Sequence, residues 1–186
     1  MIVDLTPALA AEYVDLWRSC VIRASRVAEV DAIVDRLVAH KDRYTKAGLP
    51  QGVPWHVVAV VHMLEDGGNF AAPLHNGNPL RARTGHTWEA SASDALMFDG
   101  LGTWKNWSLP GTLFALERFD GFGYRQKKIH SPYLWSFSNQ YSKGTFIGDN
   151  EFSPTAVAEQ CGAAVLLRRM VGRGLVRIAG AGANGA

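Results

Sequence analysis

Glu65 closes the most apolar run of the chain, Pro54-Trp55-His56-Val57-Val58-Ala59-Val60-Val61-His62-Met63-Leu64, and stands just before Gly67-Gly68. As the end of a buried helix, that position puts a carboxyl at the mouth of a hydrophobic core and near the negative end of a helix dipole. Both surroundings disfavour the anion and should raise its pKa. A carboxyl that stays protonated near neutral pH can serve as a general acid, and such an acid is half of a pair that cleaves glycosidic bonds. The other half is not close in sequence, since residues 67–88 contain no Asp or Glu. Glu89, Asp94, Asp99, Glu117 and Asp120 come later, all of types that usually face water or cap helices. Glu89 and Asp94 are the first candidates for a second carboxylate. If Glu89, Asp94 or Asp120 faces Glu65 across a cleft, a water-using reaction becomes available.

Aromatic residues are the second theme: Trp88, Trp104, Trp107, Phe122, Tyr124, Tyr133, Trp135 and Tyr141 crowd the middle of the chain. Rings with a polar tip suit a sugar-stacking face and an ordinary core equally well. Tyr124, in the glycine-spaced loop Asp120-Gly121-Phe122-Gly123-Tyr124, is assigned to a groove. His75 is near enough in sequence to Glu65 to line the same cleft. His56 and His62 do not share a helix face as ligands at i and i+4 would, and no His-Glu-x-x-His is present. His75 and His86 flank a hairpin segment, but a zinc site needs three good ligands. No metal and no cofactor is expected. A phosphate-binding glycine loop and a Gly-x-Ser-x-Gly elbow are both absent from the sequence.

The elements that must position these residues read as mainly helical. Thr6-Pro7 opens a helix to about Cys20, with Thr6 as N-cap and Pro7 at the first position. Val27, Val30, Ile33, Val34, Leu37 and Val38 recur at helical spacing within a second helix over about 26–46. The Glu65 helix starts at Pro54, and Gly67-Gly68 ends it. Asn76-Gly77 signals a two-residue β-hairpin directly downstream. Thr87 caps a helix to Gly100. Ser108-Leu109-Pro110 starts another that ends at Asp120-Gly121, and Ser153-Pro154 starts a last one to about Val171. Residues 179–186 read as a loose tail.

Composition sets the outer limits. The chain has 186 residues, 47% of them hydrophobic, enough for one core. Its net charge of +2 gives no nucleic-acid footprint, while a pI near 8.6 suits an anionic envelope. Cys20 and Cys161 match no metal spacing and are expected as two buried thiols. No apolar run of about 18 residues is present, so no membrane insertion is expected. The N-terminal segment carries Asp4, Glu12 and Asp15 and no basic start, so it does not read as a signal peptide.

With these residues in view, the chain resembles the lysozyme-like superfamily, which includes phage lysozymes, goose-type lysozymes and lytic transglycosylases. More narrowly, WHVVAVVHMLEDGGNF, LHNGNPL, FDGFGYR and SPYLWSFSNQY look like a family of phage and bacterial peptidoglycan-degrading endolysins, over about residues 50–172. The resemblance implies an α+β lysozyme-like fold, mainly α, with one small β-hairpin beside the catalytic helix. Residues 1–50 would be a helical extension packed on a catalytic domain at 51–174, and 175–186 a tail.

The resemblance also implies that Glu65 is the acid that cuts the bond between N-acetylmuramic acid and N-acetylglucosamine. His75, Asp120, Tyr124, Tyr133 and Trp135 would then contact the glycan strand. Two departures matter. Phage lysozymes place an Asp in the hairpin, which this chain lacks, and Phe119-Asp120-Gly121 stands where relatives often have Tyr-Asn-Gly. The missing Asp favours a lytic transglycosylase, in which Glu65 also takes the C6 hydroxyl proton to close a 1,6-anhydro ring, over a hydrolytic muramidase. A zinc amidase or peptidase and a non-catalytic wall-binding protein are the competing classes. The expected protein is a monomer made in the cytoplasm, acting on the cell wall after release, with glycan strands as its partner.

Overall fold

Side-chain caps fix the starts of three of the described helices. The structure is a computed structural model that describes residues 3–72, 74, 87–148 and 151–182. Helix α1 (Pro7–Ser19) starts at Thr6, whose hydroxyl accepts the Leu9 N–H at 3.2 Å. The long second helix expected from the sequence is instead two, α2 (Val27–Ala39) and α3 (Lys41–Gly48), broken at His40 with φ −108° and ψ 17°. The two apolar stripes have different partners, which one straight helix could not face. Val30, Val34 and Leu37 turn α2 toward α9, while Tyr44 and Ala47 turn α3 onto α4.

Helix α4 (Trp55–Asp66) is apolar nearly all round, and Val57, Val58, Ala59, Val60 and Val61 have no exposed surface. That burial, about 1.5–3 kcal/mol for each large side chain, overrides the β preference of its valines. Pro54 is the N-cap rather than the first helical residue. Gly67 adopts φ 61°, and the N–H groups of Gly67 and Gly68 return to the carbonyls of Met63 and His62. This is the left-handed ending that glycine permits without a Cβ clash.

Helix α5 (Trp88–Phe98) starts at Thr87, whose hydroxyl accepts the Ala90 N–H. Helix α6 (Leu109–Asp120) has Ser108 as N-cap and Pro110 in its first turn. Two short helices follow, α7 (Gly123–Gln126) and α8 (Pro132–Trp135). Strands β1 (Thr145–Gly148) and β2 (Glu151–Ser153) form an antiparallel pair with Phe146 opposite Phe152. This hairpin was not expected. The one expected at Asn76-Gly77 lies outside the described residues.

Helix α9 (Ala163–Gly172) begins later than the Ser153-Pro154 signal implies. Ser153 ends β2, and its hydroxyl accepts the Ala156 N–H in a local turn instead of capping a helix. Gly162, the actual N-cap, lies against Leu134, where a Cβ would sit 2.3 Å from the carbonyl oxygen.

One hydrophobic cluster runs from Tyr13 and Trp17 through α4 and α6 to Ile178 and Ala181, so residues 3–50 share their core with the rest. The tail expected to be loose is packed as far as it is described. Trp17 Nε1–H donates to the Ala181 carbonyl at 3.1 Å, and Leu109 N–H to that of Ala179 at 2.7 Å. The small residues Ala179-Gly180-Ala181 let the backbone approach closely. The described residues are thus mainly helical with a small two-stranded antiparallel sheet. Among them no helix is long and apolar enough to cross a membrane. Cys20 and Cys161 are both buried free thiols.

Candidate active site

Three helix ends meet around Glu65. Its carboxylate, on the last turn of α4, remains exposed to solvent and accepts a hydrogen bond from the Tyr133 hydroxyl at 3.2 Å. Protein packed about the carboxyl raises its pKa, the Tyr133 hydroxyl opposes that rise, and the charges of Asp66 and Asp99 add to it. At the end of α6, Asp120 accepts the Ser131 hydroxyl at 3.1 Å. Asp120 also keeps contact with solvent, yet the protein around it displaces enough water to push its carboxyl up to about 7, helped by the charges of Glu65 and Glu117.

The link between the two carboxyls is the start of α8. Ser131, 2% exposed, caps this helix by accepting the Tyr133 N–H at 3.2 Å while its own O–H goes to Asp120. Tyr133 therefore touches Ser131 through its backbone and Glu65 through its side chain. Burial and the Glu65 and Asp120 charges push the phenol well above its ordinary value, so it stays protonated as a hydrogen-bond donor. Leu134 and Trp135, at 0% and 1% exposure, anchor the helix from below.

Behind Asp120, one turn back on α6, Glu117 is buried. It receives Arg125 Nη2 at 2.7 Å and the Tyr13 hydroxyl, and Arg125 also pairs with Glu12 at 2.9 Å. This network ties α1, α6 and α7 together and holds the end of α6 in place.

Of the residues expected at the site, Glu65, Asp120 and Tyr133 converge. Trp135 does not face a groove; its ring is core. Tyr124 is 8% exposed and braces the hairpin, with its hydroxyl 3.1 Å from Thr145 Oγ1 and its ring edge-on to Phe146. A loop tyrosine between glycines can as easily fill a gap beneath a hairpin as face a ligand.

Glu89 is ion-paired with Arg43 at 2.6 Å, and that hydrogen bond lowers its pKa, the reverse of what an acid needs. Asp94 lies on the exposed face of α5. His75 is outside the described residues. His62 is fully buried, its Nδ1 3.1 Å from the Tyr44 hydroxyl and its ring packed on Phe70 and Trp88. Burial holds His62 and His56 at about 4, so both are neutral near pH 7. Among the described residues no group of three His, Cys, Asp or Glu is placed to hold a metal ion. Sequence reasoning missed Ser131, although Ser131-Pro132 is the same cap-and-proline signal that marked other helices.

Comparison of the chain with descriptions of known families, with curated proteins and with solved structures finds no match.

Proposed function

We propose that this protein cuts the glycosidic bond between N-acetylmuramic acid and N-acetylglucosamine in bacterial peptidoglycan, on a lysozyme-like scaffold, with Glu65 as general acid. One observation carries the reading. Glu65 is solvent-accessible at the end of a buried helix, has a raised pKa, and is oriented by Tyr133 beside a second carboxyl that is also hard to ionise. Perturbed carboxyls held together in an accessible place are the usual mark of proton-transfer chemistry.

In the proposed reaction Glu65 gives its proton to the glycosidic oxygen as the bond to C1 breaks. Positive charge develops at C1, and the surrounding carboxylates stabilise it. Tyr133, a hydrogen-bond donor throughout, then stabilises the Glu65 anion. The reaction needs no cofactor. Glycan strands are the substrate, and action on the wall follows release of the protein to it.

The test is digestion of purified sacculi. The wild-type protein should release soluble glycan fragments, and Glu65→Gln, shown to be folded by its circular dichroism and melting curve, should not. Lysis by a folded Glu65→Gln protein would sink the proposal.

A further inference from the structure

Asp120 has no counterpart among carboxylates expected from the hairpin, yet the fold brings it to Glu65. We infer that Asp120 is the second catalytic carboxylate of this site, acting as general base on a water molecule, so that the glycan is cut by hydrolysis. The inference rests on the glycan-cleaving reading of the site and names its acceptor.

The geometry is specific. Asp120 and Glu65 end separate helices, and a single short element addresses both. Ser131 Oγ donates to Asp120 Oδ2 at 3.1 Å and accepts the Tyr133 N–H at 3.2 Å, while Tyr133 Oη donates to Glu65 Oε1 at 3.2 Å. Among the described residues each carboxylate thus has one donor fixing one oxygen, and each remains open to solvent. Among the described residues neither is paired with Lys or Arg. Arg125, which follows α6 in the chain, is engaged by Glu117 and Glu12.

Among the described residues, the charged and titratable groups acting on Asp120 are Glu65 from α4 and Glu117 from its own helix, and Asp120 in turn acts on Tyr133 from α8. Among the described residues, those acting on Glu65 are Tyr133, Asp66 and Asp99. The two carboxylates repel each other, so ionisation of one makes the other hold its proton more tightly. One acid and one base is the complement that hydrolysis requires. A base that titrates near 7 is also well matched to taking a proton from water.

The step balances. Glu65 delivers its proton to the glycosidic oxygen, and the leaving sugar keeps the bonding electrons as a 4-hydroxyl. The water oxygen bonds to C1, and its proton passes to Asp120. One water is consumed, a reducing muramic end forms, and solvent returns the proton from Asp120 to Glu65. A transglycosylase would instead leave a 1,6-anhydro end, lighter by one water.

The experiment is mass spectrometry of fragments released from sacculi by the wild-type protein, Asp120→Asn and Ser131→Ala. The inference predicts reducing ends from the wild type and a loss of about a hundredfold or more in Asp120→Asn. Ser131→Ala tests the same role if Asp120→Asn does not fold. Removing a donor from the Asp120 anion should move the acid limb of the kcat/KM profile to higher pH, which lost packing alone would not do. Anhydro ends from the wild type, undiminished cleavage by Asp120→Asn, or an unmoved acid limb in Ser131→Ala would overturn the inference and leave glycan cleavage by Glu65 standing. Intact glycan after wild-type digestion would overturn both.

Discussion

Glu117 and Asp120 sit one turn apart on the same helix and differ in almost everything else. Glu117 is 2% exposed and is met by the Arg125 guanidinium and the Tyr13 hydroxyl. Asp120 is open to water, among the described residues receives only a serine hydroxyl, and feels the charge of Glu65. A buried carboxylate that keeps a cation can tie helices together. A carboxylate crowded by protein, with no cation and another carboxylate nearby, holds its proton more tightly and is costly to ionise. Depth of burial alone therefore does not show which carboxyl holds its proton. What separates the two is whether the charge is compensated.

Under the proposed function the largest expected effect is that of Glu65→Gln, which should reduce release of glycan fragments by about a hundredfold or more without lowering the melting temperature. At the structural end, Arg125→Met should leave Glu117 buried without its cation and destabilise the protein by about 3–5 kcal/mol, measured by denaturant unfolding near neutral pH. A change within measurement error would mean that Glu117 does not depend on Arg125, and the contrast between the two carboxylates would fail.

Asp120→Asn should do the opposite for stability. Its carboxyl titrates near 7 in the folded chain against an ordinary 3.8, so the unfolded chain loses that proton first as pH rises. The stability this group contributes is fully present below about 3.8 and declines as pH climbs through 7. The asparagine variant escapes that loss, so it should melt higher than wild type near pH 8 and about equally near pH 4. A variant that melts lower at both would show Asp120 to be structural.

The smallest effect is expected from Tyr133→Phe. Without the phenol donor the Glu65 anion loses support, so its pKa should rise further and the alkaline limb of the activity profile should move to higher pH. An unchanged limb would mean that the 3.2 Å contact does not act on Glu65.

Much of the scaffold was legible because its signals are local. Thr6-Pro7, Thr87 and Gly67 bound helices where their chemistry says they should, since capping is settled within one turn of chain. The break at His40 was not legible, because no residue there forbids a helix and the reason lies in which neighbours α2 and α3 face. Ser153-Pro154 misled for a related reason. A serine hydroxyl that can cap a helix can also close a turn at the end of a strand.

The amino-acid sequence by itself determined that a carboxyl ends a buried apolar helix, because hydrophobic pattern and a glycine stop decide that within a few residues. It also marked Asp120 and Tyr133 as polar groups beside glycine and proline turns. Only the tertiary structure decided that Asp120, Ser131 and Tyr133 converge on Glu65, that Trp135 turns inward, and that Arg43 takes Glu89 away from any acid role. Those outcomes depend on contacts between elements far apart in the chain. Burial and neighbouring charge, which set each pKa, exist only after those elements have packed.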